Sequence, residues 1–506
     1  MMVQLLYEDE ERKPCRTKHE EELIQDLNLN VLFQAMSGSN SFLYETVKSV
    51  VLSGGTDIGT ILYRQKILKD CMDNPAVIQE IYDIAAKAVI DAIRYREYTQ
   101  PNYARVVPVS VRVLKSVGLL EILVQKAEKL RDLLQSNQKC FQSKGLISFC
   151  DRFHKAFPEP FFPQVKKNIA DLNYLCEGGR LILGAKIGKG LKGTGYVLRK
   201  LSRDAADQAN RRKHPKTPQW NEIVLDNFSL ASSAREIEDA GLIRILRLVN
   251  HFTATMIRFF EALQFEAGFY IGCVHLYLTI CQMNLPVSFP NPQVMGEKEL
   301  SFTGLYDLSL ALNEKKKPVE NDLSAAGKKL IVVTGANQGG KSTFLRSIGL
   351  AQLMMQCGLF VAADSYQSGL CDQILTHFVR EEDIRMDSGK LDEELARMER
   401  IVDHITPYSL LLMNESFAST TEREGSQIAR DIITAFTEAG IRVLFVTHLF
   451  EFAWAAYLDQ CESSLFLRAG RNKDGSRSFI IREGEPLRTS FGEDLYNSII
   501  MGAAHV

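Results

Sequence analysis

The sequence predicts an α region followed by an α/β domain, and three observations carry that prediction. From Glu21 onward apolar residues recur three or four apart over about 160 residues, the spacing of helix faces. Beyond Pro286, Pro290 and Pro292, short apolar runs alternate with helical stretches, the pattern of a largely parallel sheet with crossover helices. Within that second region, Lys329-Leu330-Ile331-Val332-Val333 leads into a glycine-rich loop, and Phe344-Leu345-Arg346-Ser347-Ile348-Gly349-Leu350 follows as a helix.

That loop is Thr334-Gly335-Ala336-Asn337-Gln338-Gly339-Gly340-Lys341-Ser342-Thr343. Gly335, Gly340, Lys341 and Ser342 occupy every fixed position of the phosphate-binding pattern G-x-x-x-x-G-K-S/T. Glycines let backbone N–H groups turn inward around phosphates, and the helix that begins there adds its positive dipole end. Lys341 is placed to reach the β- and γ-phosphates, and Ser342 to ligate Mg²⁺. A glycine turn with no ligand is the bland alternative, but few such turns have a strand before and a helix after. The loop implies a nucleoside triphosphate ligand.

Length and composition narrow the class. A chain of 506 residues with 45% hydrophobic and 24% charged residues fits about three domains of an ordinary globular protein. The formal net charge of −2 gives no global sign of nucleic-acid binding, so a basic surface must be local. The start turns acidic at Glu8-Asp9-Glu10, too early for a signal peptide. The uncharged run 267–283 reads as a buried helix rather than a membrane span. Ten scattered cysteines form no Cys-x-x-Cys pair and no zinc-spaced cluster, which fits reduced thiols in a cytoplasmic protein.

Residues 1–20 are charged and read as a poorly ordered tail. Leu23, Ile24, Leu27, Leu32 and Phe33, then Leu43, Val47, Val50 and Val51, then Ile58, Ile61, Leu62, Ile67 and Leu68 form successive helix faces. Longer helices are predicted over 76–98, 109–136 and 161–177. The segment 184–220 changes character: Gly184, Gly188, Gly190, Gly193 and Gly195 interleave with basic residues. Between 186 and 216 ten positive charges, including Lys186, Lys189, Lys192, Arg199, Lys200, Arg211, Arg212 and Lys213, face only Asp204 and Asp207. Such a segment reads as a mobile basic insertion, either in contact with a phosphate backbone or simply solvated. One long helix is predicted from Ser232 through Leu263 and a second, apolar one over 267–283.

In the second region Phe360-Val361-Ala362-Ala363, Ile374–Val379, Tyr408–Met413 and Ile441–Thr447 read as strands, and Leu391–Ile405 and Glu424–Ala439 as helices, the latter stopped by Gly440. Functional groups belong at the carboxyl ends of such strands. Glu415 lies just past one, where a carboxylate can activate water against a γ-phosphate or merely cap a helix. His448 ends another and is read either as a γ-phosphate contact or as a structural histidine. Asn414 stands where phosphate-loop enzymes usually place the aspartate that holds Mg²⁺, so weaker Mg²⁺ binding and slow turnover are expected.

Taken together, these motifs resemble the MutS family. Gly335-Ala336-Asn337-Gln338-Gly339-Gly340-Lys341-Ser342-Thr343 is similar to that family's G-P-N-M-G-G-K-S-T loop. Leu411-Leu412-Met413-Asn414-Glu415 with Ser419-Thr420-Thr421 and Glu424-Gly425 resembles its L-x-M-D-E-x-G-R-G-T-S-T-x-D-G segment. Phe445-Val446-Thr447-His448-Leu449-Phe450-Glu451 resembles F-x-T-H-x-x-E, and Val319-Glu320-Asn321-Asp322 resembles V-x-N-D. Glu483-Gly484-Glu485 and Ser490-Phe491-Gly492 resemble the closing E-G and S-Y-G. Over 22–285 the likeness is thinner and rests on Tyr63-Arg64-Gln65-Lys66-Ile67-Leu68.

The resemblance implies a tail (1–20), a helical core and lever (21–285) carrying a clamp-like basic insertion, and an ABC-type P-loop ATPase domain (286–506) with a C-terminal dimerisation segment. It implies ATP and Mg²⁺ as ligands, a homodimer, and DNA (duplex, mismatched or branched) as partner. Ser388 would reach the partner subunit's nucleotide, although Asp387 and Gly389 flank it where the family often has S-T. With a helical pattern beginning near residue 22, neither an N-terminal mismatch-recognition domain nor a Smr-type extension after residue 500 is expected. The expected function is an ATPase whose nucleotide state switches its grip on DNA. The alternative is a nucleotide-gated protein scaffold with slow hydrolysis and little DNA affinity.

Overall fold

The computed structural model describes residues 3–8, 19–99, 107–176, 180–187, 193–202, 228–379, 389–472 and 476–488, with the backbone alone for 180–187, 193–202 and 228–238. Eight helices come first: α1 (Glu20–Asp26), α2 (Leu29–Ser37), α3 (Ser41–Leu52), α4 (Ile58–Asp73), α5 (Pro75–Thr99), α6 (Val109–Asn137), α7 (Lys144–Ala156) and α8 (Phe161–Cys176). Local chemistry sets several starts. Asn40 accepts a hydrogen bond from Leu43 N, and Asp57 from Thr60 N, each satisfying a first-turn donor.

Strands β1 (Arg180–Ile187) and β2 (Gly193–Ser202) then pair antiparallel, and α9 (Phe228–Gln282) follows. The segment expected to be a mobile basic insertion therefore contains a hairpin, with Arg180 opposite Ser202 and Ile187 opposite Gly193. Its glycines had suggested a loop, but interstrand pairing is not visible in one strand's composition. The two helices expected over 232–263 and 267–283 are one helix, because no proline or glycine falls between Leu263 and Ala267 to stop it. Among the described residues no helix is long and apolar enough to cross a membrane. Nine cysteines are free among them.

The remaining chain builds two sheets. Strands β3 (Asn291–Gln293), β4 (Leu300–Leu305), β5 (Asn321–Ser324) and β7 (Ser365–Gly369) make a four-stranded sheet in the order β3-β7-β4-β5. Strands β6 (Leu330–Gly335), β8 (Ile374–Phe378), β9 (Leu410–Asn414), β10 (Arg442–Val446), β11 (Ser464–Arg471) and β12 (Arg477–Glu483) make a six-stranded sheet in the order β12-β11-β6-β10-β9-β8. It is parallel except for β12. Helices α10 (Leu308–Glu314), α11 (Lys341–Gln356), α12 (Lys390–Val402), α13 (Glu422–Glu438) and α14 (Phe450–Leu458) complete the chain. The strand expected at 360–363 is instead irregular. Val361 makes an isolated bridge to Ser288, and the paired strand is the more polar Ser365–Gly369. Phe360 through Ala363 are apolar because they are buried, not because they are in a sheet.

By internal contacts the chain forms two units, Met1–Val3 with Gln79–Phe141 and Ile147–Gln264, and Gln4–Ile78 with Gln142–Leu146 and Phe265–Val506. The domain boundary expected at 285–286 does not follow this division. Helices α1 to α4 belong with the sheets: α1 packs on β8, and α2 on α10. Helical periodicity identifies a helix but not the layer it packs against. In the first unit Phe153 lies among Phe149, Phe157 and Phe259, an aromatic core of α7 and α9.

Residues expected to form a disordered tail also enter the core. Val3, Leu5 and Leu6 are buried. Leu5 N and Leu6 N donate to Glu266 Oε2 at 2.5 and 3.0 Å, and Tyr270 Oη donates to Leu5 O at 2.7 Å. The buried Arg64 donates from Nε to Leu6 O (2.9 Å) and from Nη1 to Cys357 O (3.2 Å), with its guanidinium 4.6 Å above the Tyr7 ring. Gly358 has φ +85°, and a Cβ there would lie 2.6 Å from Arg64 Cβ, so the chain end of α11 and α4 touch at a glycine. Arg64→Ala leaves two buried carbonyls unpaired and a cavity, and should lower stability by about 3 kcal/mol or more. Urea denaturation should show a lower midpoint with an unchanged slope.

Candidate functional site

Three adjacent strands set up the site. In the six-stranded sheet β10 lies between β6 and β9, and all three run parallel. Their carboxyl ends are level, because Glu415 N donates to Val446 O (2.8 Å) and Thr447 N donates to Val333 O (3.1 Å). The glycine loop after β6, Glu415 after β9 and His448 after β10 therefore converge, as expected for a sheet of this kind. They line a cavity of about 510 Å³ together with Asn337 through Thr343.

The loop needs its glycines. Gly335 and Gly340 have φ of +108° and +89°. A Cβ on Gly339 would lie 2.7 Å from Ala469 Cβ and 2.8 Å from Ala336 O, with no room to shift. Gln338 also sits at φ +57°. Arg477 Nε of β12 donates to Asn337 O at 3.1 Å and fixes the loop from outside.

Lys341 is 5% exposed, and its ammonium donates to Gly335 O and Ala336 O, both at 3.1 Å. Burial pushes its pKa below the ordinary lysine value, and the Glu415 carboxylate pulls the other way. The cation is held by the loop's own carbonyls. Ser342 Oγ donates to Asn414 Oδ1 at 2.8 Å, so the two residues expected to hold Mg²⁺ are brought together. Both offer neutral oxygens. Among the described residues no group of three His, Cys, Asp or Glu could hold a metal by itself.

Glu415 has φ +56°, an uncommon conformation for a residue with a Cβ. Its Oε1 lies 3.0 Å from His448 Nε2. Its Oε2 is buried with no partner. A carboxylate oriented by a histidine on the cavity wall is placed to act as a base towards a molecule bound there.

The cavity also involves residues that sequence reasoning missed: Asp307, Leu310, Glu314, Lys316, Lys317 and Phe479. Phe479 sits at φ +57° and is 46% exposed. Asn321 explains how it gets there: Asn321 Oδ1 accepts from Ile481 N (2.7 Å) and its Nδ2 donates to Phe479 O (3.4 Å). The stretch Val319-Glu320-Asn321-Asp322 was the one sequence signal for this wall. Nothing in Ser476-Arg477-Ser478-Phe479 marks the aromatic residue, because its position depends on pairing between β12 and β11.

Other expected site residues are not brought here. Ser388 lies outside the described residues, as do Lys189, Lys192, Arg211, Arg212 and Lys213. Lys186 belongs to β1, and Arg199 and Lys200 to β2, in the other compact unit.

Comparison with known proteins follows the same two regions. Residues 56–283 match the family model described as the MutS2 N-terminal domain, and residues 331–484 match the one described as MutS domain V. A protein named DNA mismatch repair protein MutS from Chloroflexus aurantiacus is 34% identical over 138 residues, 26% of this chain and 14% of that protein. Its namesake from Trichormus variabilis is 37% identical over 123 residues, 24% of this chain and 14% of that protein. DNA mismatch repair protein MSH3 of Kluyveromyces lactis is 33% identical over 135 residues, 26% of this chain and 13% of that protein. The shared stretch thus spans 13–14% of the length of these relatives. Two models of one family on separate stretches, and relatives bearing its name, lead to a single assignment: the chain belongs to the MutS family.

Proposed function

We propose that this chain is an ATPase that uses ATP to switch its grip on DNA, in repair or recombination, and that it works as a homodimer. The observation that carries the reading is Glu415. Its carboxylate is paired with His448 on one oxygen, has an unserved buried oxygen on the other, and lies beside a glycine loop with an inward lysine. That is a carboxylate ready to orient water opposite a phosphate site.

Each residue then has a task. Backbone N–H groups of the glycine loop would cradle the phosphates, and Lys341, now on the carbonyls of Gly335 and Ala336, would neutralise them. Ser342 and Asn414 would hold Mg²⁺, which supplies charge neutralisation on the phosphate oxygens. Because Asn414 is uncharged, the phosphates must hold most of that ion, and turnover should be slow. Glu415 takes the proton of the attacking water, and His448 orients Glu415 and contacts the γ-phosphate region. Ser388 would act on the partner subunit's nucleotide. We assign residues 21–285 to the core and lever, 286–506 to the ATPase domain, and DNA contact to Lys186, Lys189, Lys192, Arg199, Lys200, Arg211, Arg212 and Lys213. The relatives' name, DNA mismatch repair protein, supports DNA as the partner. We place the chain in the cytoplasm; its nine free cysteines among the described residues support that reading.

A nucleotide-gated protein scaffold is the second reading, favoured by Asn414 and the net charge of −2. Steady-state ATP turnover, alone and with plain duplex, mismatched duplex, four-way junction and single-stranded DNA at fixed salt, decides between them. A change with one DNA structure supports the switch and names its ligand. Turnover that ignores all four, with nucleotide binding demonstrated, supports the scaffold.

Glu415→Gln should keep nucleotide affinity and lower kcat by about 100-fold or more. Lys341→Ala should weaken nucleotide binding and abolish nucleotide-dependent release of DNA, while the ligand-free protein stays folded, since a buried cation is removed. Asn414→Asp should tighten Mg²⁺ dependence and raise turnover; an unchanged magnesium titration would refute the assigned role. Reversing charge at Arg211, Arg212 and Lys213 should weaken DNA binding and flatten its salt dependence by up to about three units of slope.

A further inference from the structure

Glu415 touches the cavity through its bond to His448, but the turn it begins is packed on the side away from it. The residues around it, Glu415 and Phe417, have φ of +56° and +64°, and neither is glycine. Backbone of this kind persists only where neighbours fix it. Besides Val446 and His448, the neighbours of this turn include a buried cluster behind the site, from β8 and α12, none of which lines the cavity.

His377 of β8 is its centre, 1% exposed. Its Nε2 lies 3.1 Å from Glu394 O, and a carbonyl only accepts, so Nε2 carries the proton and donates. Its Nδ1 lies 2.7 Å from Ser416 Oγ, and Ser416 Oγ also lies 2.9 Å from His377 O. With Nε2 protonated in the neutral ring, Ser416 has one hydroxyl proton for two acceptors on the same residue, and its fully buried side chain is gripped from both. The His377 ring also stacks on Phe417, with centroids 5.7 Å apart at 29°. Glu394 continues the cluster: its Oε1 accepts from Ser419 Oγ at 2.9 Å, and burial raises its carboxyl pKa. Three of the four residues after Glu415 are thus tied down, Ser416 and Phe417 by His377 and Ser419 by Glu394.

We propose that His377 is a positioning residue for Glu415: through Ser416 and Phe417 it locks the turn that aims the carboxylate at the phosphate site. This rests on the hydrolytic reading of Glu415 given above. It acts through backbone geometry, so it should govern the rate of the chemical step and not the affinity for nucleotide. Misplacing a reacting group by about 1 Å costs roughly a hundredfold in rate.

The test uses the full chain with two variants. His377→Phe keeps a ring on Phe417 and removes both nitrogens. Ser416→Ala removes only the hydroxyl and preserves folding should the first variant be too severe. Both should lower kcat for ATP by roughly tenfold to a hundredfold with KM within about twofold. Hydrogen exchange of the 415–419 amides should quicken about tenfold while α13 and β10 exchange as before. The double variant should be no slower than the worse single one, because both remove the same grip. Wild-type kcat in both variants, or unchanged exchange across 415–419 in both, overturns the proposal. If Glu415→Gln leaves turnover unchanged in the same assay, the hydrolytic reading fails instead, and the exchange data still decide whether His377 holds the turn.

Discussion

The level ends of three parallel strands are what the site depends on. With β10 between β6 and β9, a shift of register in either pairing would carry Glu415 or His448 away from the glycine loop. The register is fixed from both faces. Leu411, Met413, Val443 and Phe445 pack with Ile433, Phe436 and Phe452 of α13 and α14. On the other face α11 packs on β9 and β10. A one-residue slip would turn these side chains to the wrong face, so the hydrophobic pattern that builds the core also sets the position of the chemistry.

The electrostatics of the loop follow from that placement. Lys341 is buried by the fold and has lost much of its hydration, which depresses its pKa. Two backbone carbonyls accept from its ammonium, but only as neutral dipoles. On the proposed function, a triphosphate would offer full negative charge beside it and offset what burial removed. Ser342 and Asn414 are similarly bonded to each other. The site is held together by internal contacts between neutral groups and one buried cation.

Helix α11 connects this chemistry to the N-terminal helices within one compact unit. It begins at Lys341, and its far end is held by Arg64 at Cys357 O and by Gln356, whose Nε2 donates to Gly55 O at 3.2 Å. Gln356 is itself bonded to Gln352 and to the Cys371 backbone, so this buried polar network is closed on all sides. Satisfied networks of this kind are rigid and specify one packing.

The sequence by itself determined the order of helices and sheet, and it marked the glycine loop, Glu415, His448, Ser342 and Asn414 as candidates, because each is legible from its neighbours in the chain and from periodicity that needs no partner; that Ser342 and Asn414 meet was decided by strand pairing. It also determined the family, through motifs quoted residue by residue. It could not show that α1 to α4 pack with the sheets, that Val3 to Leu6 are core, that 180–202 contains a hairpin, or that α9 is unbroken. Those depend on which surfaces meet. Phe479 and His377 reach the site only through strand pairing and burial: one is an ordinary aromatic in a polar run, the other an ordinary histidine in a short strand. What a residue can do was legible from its chemistry, and what it does was decided by tertiary contacts between residues tens to hundreds of positions apart, such as Asn321 with Ile481 and Arg64 with Cys357.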